Sequence, residues 1–160
     1  MKLPMKLYVA SPLGFSEAGR QFYYDTLLPR LAASACEILD PWMLTDAAKI
    51  KAVSDMPYGA AKRDAWRSLG AEIGRNNAAA IAACDTLLAV LDGSDVDSGT
   101  ASEIGYAFAL KKRIVGYRSD FRLAGDNEGA IVNLQVEYFI RQSGGTIVTG
   151  LDAVADALGS

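Results

Sequence analysis

Short apolar runs alternate along this chain with longer stretches of mixed polarity. Runs of strand type fall at residues 6–10, 36–39, 86–91, 114–117 and 146–148, followed by Ser11, Asp40, Asp92, Arg118 and Thr149-Gly150. Between them, apolar positions recur at helical spacing over 16–33, with Ser16 as the expected N-cap, and over 60–83, 100–112, 130–142 and 152–158. Residues 43–58 carry weak periodicity with Pro57 nearby, which predicts a loop or a short helix, and 118–128 reads as a polar loop. Strands alternating with helices throughout predict βαβ units and a parallel sheet. Five strands with right-handed crossovers suit a three-layer, flavodoxin-like or Rossmann-like α/β sandwich, and residues 1–160 are expected to form one domain.

Composition narrows the chemistry. The net charge is −3 and the Lys and Arg residues are scattered, so the basic stripe that nucleic acid requires is missing. No apolar run approaches the ~20 residues of a membrane span, and residues 1–5 are too short and polar for a signal peptide. A cytoplasmic protein is therefore expected. Cys36 and Cys84 sit in apolar segments without a metal-ligand spacing and read as reduced core thiols. The chain has no histidine, which excludes Ser-His-Asp triads, Cys-His dyads and the usual zinc sites. Acid and base work must fall to carboxylates, Tyr or Lys, and no metal or cofactor is expected.

Residues 92–106 gather Asp92, Asp95, Asp97 and Glu103 with three glycines, directly after the third apolar run. In an open α/β sheet such a loop meets ligands at the carboxyl end of its strand. If the first and third strands are neighbours, the loops after Ala10 and Leu91 open on one crevice. Three readings compete. Asp97, Ser98 and Thr100 are residues that favour a helix start. A calcium loop is a second reading, although Asp92, Asp95 and Asp97 lack its one-three-five spacing and central glycine. Glycosyl transfer is the third, since two carboxylates in different environments can act as nucleophile and acid. Glu103 is expected in the first helical turn, held ionised by the helix dipole, with Tyr106 one turn on to orient it. Gly99 would let the backbone turn closely, and Gly105 would leave room on the helix face.

The segment Asp97-Ser-Gly-Thr-Ala-Ser-Glu103-Ile-Gly-Tyr-Ala107, after an apolar strand, resembles the signature of the nucleoside 2-deoxyribosyltransferase family. Leu7-Tyr-Val-Ala-Ser-Pro12 is similar to that family's first strand and loop, and Asn133-Leu-Gln135 is a third match in the same order. The resemblance implies exchange of the base on a 2-deoxyribonucleoside in nucleoside salvage, with free nucleobase as the other partner. It implies that Glu103 is the nucleophile, Asp97 binds the sugar hydroxyls and Tyr8 positions Glu103. Asn133 would act in a neighbouring subunit's pocket, which implies a homo-oligomer built from dimers, with tetramer or hexamer as extensions. Asp92 would stand near the base or the site's mouth.

Two departures bear on base specificity. Asn77 stands where family members that carry an acid near the base have Asp, and an amide hydrogen-bonds a base edge but does not readily deliver a proton. The chain's last residues, Gly159-Ser160, lack an aromatic that closes the pocket in some members.

Phe15, Trp42 and Tyr58 are candidates to stack on a base. Arg118 and Arg122, with Asp120, read as a solvated or subunit-contact loop, with closure over the site as the alternative. Ser11 and Ser16, with Arg20 one turn on, could hold a 5-phosphate. The alternatives are therefore an N-glycoside hydrolase acting on a deoxynucleoside monophosphate and a non-catalytic nucleotide-sensing domain.

Overall fold

The computed structural model describes residues 4–34 and 36–159. The expectations that rest on residues 1–3 and on Ser160 lie outside the described residues.

Five parallel strands, β1 (Met5–Ala10), β2 (Cys36–Leu39), β3 (Thr86–Val90), β4 (Arg113–Tyr117) and β5 (Ile147–Val148), form one sheet in the order β2-β1-β3-β4-β5. The order places β1 beside β3, with Leu7 opposite Thr86 and Ala10 opposite Ala89. All five residues of β3 are buried, as befits a strand covered on both faces.

Side-chain alternation sorts the core into two layers. Leu7, Val9, Leu88, Val90 and Val115 face one side, under Tyr23, Leu27 and Leu31, and under α7 (Leu151–Gly159). Tyr8, Ala10, Leu87, Ala89 and Ile114 face the other, under α4 (Ala60–Ala83), α5 (Ser98–Ala109) and α6 (Leu134–Gln142). A further helix, α3 (Ala47–Ser54), fills the region predicted as loop or short helix. The expected α/β sandwich is thus observed, with its switch point between β1 and β3.

Local chemistry explains where the element bounds differ from the sequence reading. The predicted helix 16–33 runs as α1 (Glu17–Phe22), a π turn (Tyr23–Leu27) and α2 (Leu28–Ala32). Pro29 has no N–H for the Asp25 carbonyl, and the turn before it widens so that Leu28 N–H reaches Tyr23 O. Helix α5 starts two residues earlier than predicted, because Asp97 caps it, and stops at Ala109. Lys111 then adopts the left-handed region (φ 57) and Lys112 N–H closes on Ala107 O. Helix α6 starts at Leu134 rather than 130, because Asn133 Oδ1 accepts from Gln135 and Val136 N–H and so ends the extended segment there. No helix among the described residues is long and apolar enough to cross a membrane. Cys84 is buried and Cys36 half-buried, and both are free thiols.

Candidate active site

A cavity of about 300 Å³ opens at the carboxyl ends of β1 and β3. Its lining includes Ser11, Phe15, Trp42, Asn77, Asp97, Gly99 and Glu103, residues drawn from four separate segments. Its size lies at the lower end of small-molecule sites. A larger open groove of about 480 Å³ lies between α2 and α7, but its one ion pair, Arg30–Asp152, is exposed and no reactive groups converge there.

Glu103 is fixed from behind. Tyr8, fully buried on β1, donates its hydroxyl to Glu103 Oε1 at 2.6 Å. Burial raises the Glu103 pKa above the ordinary carboxylate value; the Tyr8 hydrogen bond opposes that rise and the nearby Asp97 adds to it. Burial and the Glu103 charge push the Tyr8 pKa far up, so this hydroxyl stays a donor. The expected stabilisation by the helix dipole is not observed. With Asp97 as cap, Glu103 falls beyond the first turn, past the free N–H groups, and burial governs its ionisation. Tyr8, not Tyr106, orients it, and Tyr106 is 42% exposed.

Asp97 both caps α5 and reaches the cavity. Its Oδ2 accepts from Thr100 N–H at 3.0 Å and lies 3.4 Å from the Thr100 hydroxyl, while the residue also lines the cavity. A Cβ at Gly99 would stand a tight 3.0 Å from Asp97 Oδ2, so a larger residue there would press on that carboxylate. Gly105 is different: an added Cβ would meet Phe139 at an ordinary 3.7 Å.

Phe15 and Trp42 meet edge to face, ring centroids 4.9 Å apart, and form an aromatic wall. Gly14 makes the wall possible, because a Cβ there would fall 2.2 Å from the indole. Asp40, 8% exposed, holds the Trp42 backbone: its Oδ1 accepts from Trp42 N–H at 3.0 Å and from the Tyr23 hydroxyl at 2.9 Å. Asn77 Oδ1 and Trp42 Nε1 are buried polar atoms with no hydrogen-bond partner among the described residues. Ser11 Oγ accepts from Leu13 N–H, Ser16 Oγ caps α1 through Gly19 N–H, and Arg20 donates to Gly14 O at 3.1 Å.

Other predicted residues stand elsewhere. Asp92 does not line the cavity; both its oxygens are taken by Ser119 and Asp120 across the neighbouring loop. Asp95 accepts from its neighbour Val96 N–H in an exposed turn. Tyr58 is 90% exposed and sits under Arg63. Arg118, read as solvated, is 1% exposed, because β4 ends at Tyr117 and the next side chain turns under the loop after β3. Arg122, largely exposed, pairs with the mostly covered carboxylate of Asp120 within the same loop. Asn133 caps α6 and does not line this cavity. Sequence reasoning missed Pro41, Ile73 and Thr100 in the lining and Asp40 behind it. The run Asp40-Pro41 at the end of a predicted strand was the available signal.

The family model described as nucleoside 2-deoxyribosyltransferase matches residues 7–135. A 2-desoxiribosyltransferase from Leishmania mexicana superposes with a TM-score of 0.64 at 23% identity, covering 98% of this chain and 95% of that one. A 2-deoxyribosyltransferase from Bacillus psychrosaccharolyticus gives 0.63 at 18%, covering 94% and 90%. A CMP N-glycosidase from Clostridium botulinum gives 0.52 at 19%, covering 96% and 97%. A search of curated protein sequences finds no match.

Proposed function

Because this chain belongs to the nucleoside 2-deoxyribosyltransferase family, we propose that it exchanges the base of a 2-deoxyribonucleoside by a retaining double displacement through Glu103. The observation that carries the reading is the half-buried Glu103 carboxylate, pinned by Tyr8 and opening on the same cavity as Asp97. In the first step a Glu103 oxygen forms a bond to C1 of the sugar as the C1–N bond breaks, and the base leaves with the electron pair and takes up a proton. In the second step a nitrogen of the acceptor base attacks C1 from the first face. The ester bond to Glu103 breaks, and the acceptor loses its N–H proton.

Asp97 holds the sugar hydroxyls, with its second oxygen left over from capping. The base lies along the Phe15–Trp42 wall with its edge at Asn77. Asn77 carries no acidic proton, so water protonates the leaving base in this reading. No step draws on a cofactor. The enzyme works in the cytoplasm as a homo-oligomer, and the exposed Tyr106, Leu110, Leu134 and Tyr138 on α5 and α6 are the apolar surface a second copy would cover beside Asn133.

Incubation with deoxyinosine and adenine tests the proposal. New deoxyadenosine, abolished by Glu103→Ala, is the expected result. Hypoxanthine released without deoxyadenosine would replace transfer by hydrolysis. A second reading, hydrolysis of a deoxynucleoside 5-monophosphate, is favoured by Arg20 of α1, which donates to Gly14 O beside Phe15 in the cavity lining. Faster base release from the monophosphate than from the nucleoside would establish it.

A further inference from the structure

The loop that delivers Asp97 is held by two polar side chains that face in opposite directions. Arg118 is almost wholly buried, and its guanidinium donates to Leu91 O, to Gly93 O at 3.2 Å and to Arg122 O at 2.7 Å. Its Nε is buried without a hydrogen-bond partner, and among the described residues it forms no ion pair. Asp92 reaches back across the same gap. Its Oδ1 accepts from Ser119 N–H at 2.6 Å and Asp120 N–H at 2.8 Å, and its Oδ2 from the Ser119 hydroxyl at 2.6 Å.

The Asp120 carboxylate lies near enough to feel the Arg118 charge, yet every hydrogen bond of the guanidinium goes to a backbone carbonyl, and an apolar side chain would fill the space more cheaply. What the guanidinium supplies is a rigid fork of donors that fixes carbonyls on two loops at once. Beyond Gly93, which takes a positive φ of 132°, the next anchor is the buried Val96, so only Ser94 and Asp95 lie exposed before Asp97.

We infer that Arg118 and Asp92 are positioning residues, a reciprocal clamp joining 91–93 to 118–122 that sets where Asp97 stands over the cavity. The consequence for turnover rests on the function proposed above; the clamp itself does not. Glu103 is held separately by Tyr8, so loosening the clamp displaces the sugar-binding carboxylate more than the nucleophile.

Hydrogen exchange and steady-state kinetics on Arg118→Met, Arg118→Lys and Asp92→Asn test the clamp. In Arg118→Met, amides of 93–101 exchange roughly tenfold faster or more, while those of α4 keep their wild-type rate. KM for the deoxynucleoside rises roughly tenfold with a smaller change in kcat, and Arg118→Lys recovers part of both. Unchanged exchange over 93–101 in a folded variant overturns the inference, as does faster exchange spread evenly over the molecule. If Arg118→Met does not fold, Arg118→Lys and Asp92→Asn decide by the same local exchange. If the wild-type protein turns over no deoxynucleoside, the proposed function fails while the exchange still decides the clamp.

Discussion

In the proposed reaction Glu103 must lose its proton to attack, and burial makes that loss harder, so the acid limb of kcat/KM is expected above the ordinary glutamate range. Two substitutions move the limb in opposite directions. Tyr8→Phe removes the hydrogen bond that favours the anion, so the limb moves to higher pH and the rate at neutral pH falls roughly tenfold. Asp97→Asn removes a charge that opposes ionisation, so the limb moves to lower pH even though substrate binding weakens. A pH–rate series on the three proteins checks both signs. Stability follows the same linkage. A carboxyl whose folded pKa is raised stabilises the fold below its unfolded value, and that contribution is lost as pH rises through the folded value. Glu103→Gln is therefore expected to melt above the wild type at pH 7–8, with the difference closing below about pH 4. Glu103, Asp97, Tyr8, Phe15 and Trp42 could all be chosen from the sequence, because motif and residue type mark them. The ionisation of Glu103 could not be, since it depends on what buries it. Nor could the burial of Arg118, because a charged residue after a strand reads as solvated until the loop above it is known.

At the scale of the element, strands and helices were legible wherever hydrophobic period and length agreed: α4 and β2 lie where the pattern puts them. The bounds that shifted did so through local details that a pattern does not show: side-chain caps at Asp97 and Asn133, and the missing N–H of Pro29 at the π turn. The Asn133 cap yields a control for its proposed role. Asn133→Ala removes the cap of α6 and costs about 1 kcal/mol by thermal or urea unfolding, whereas Asn133→Asp keeps an accepting oxygen and most of that stability. If both lose transfer, the amide donor matters to the reaction and not merely to the helix. Gly14→Ala probes the aromatic wall instead. Its Cβ must displace the Trp42 indole, so KM for the nucleoside is expected to rise roughly tenfold with small loss of stability, read by kinetics and melting together.

For the whole molecule, the strand order does what no single motif can. By setting β1 beside β3 it brings Ser11, from the first loop, and Asp97 and Glu103, from the third, around one cavity, with Trp42 arriving from the end of β2. The alternation of strands and helices predicted the parallel sheet, while this adjacency entered the sequence reading only as a condition and the motifs marked the lining residues. A shared site between copies is checked by mixing: Asn133→Ala with Glu103→Ala subunits should regain part of the transfer activity, and no recovery after confirmed exchange would remove Asn133 from the neighbouring site. The claim on which the account turns is the bond between Glu103 and the sugar. A nucleoside bearing fluorine at C2 of the sugar slows both displacements by disfavouring the cationic transition state, which lets the ester accumulate. Peptide mass spectrometry should then find one sugar on the peptide containing Glu103, gone after adenine is added and never formed in Glu103→Ala. Transfer that proceeds with Glu103 unmodified, or with the sugar on another residue, would contradict the account.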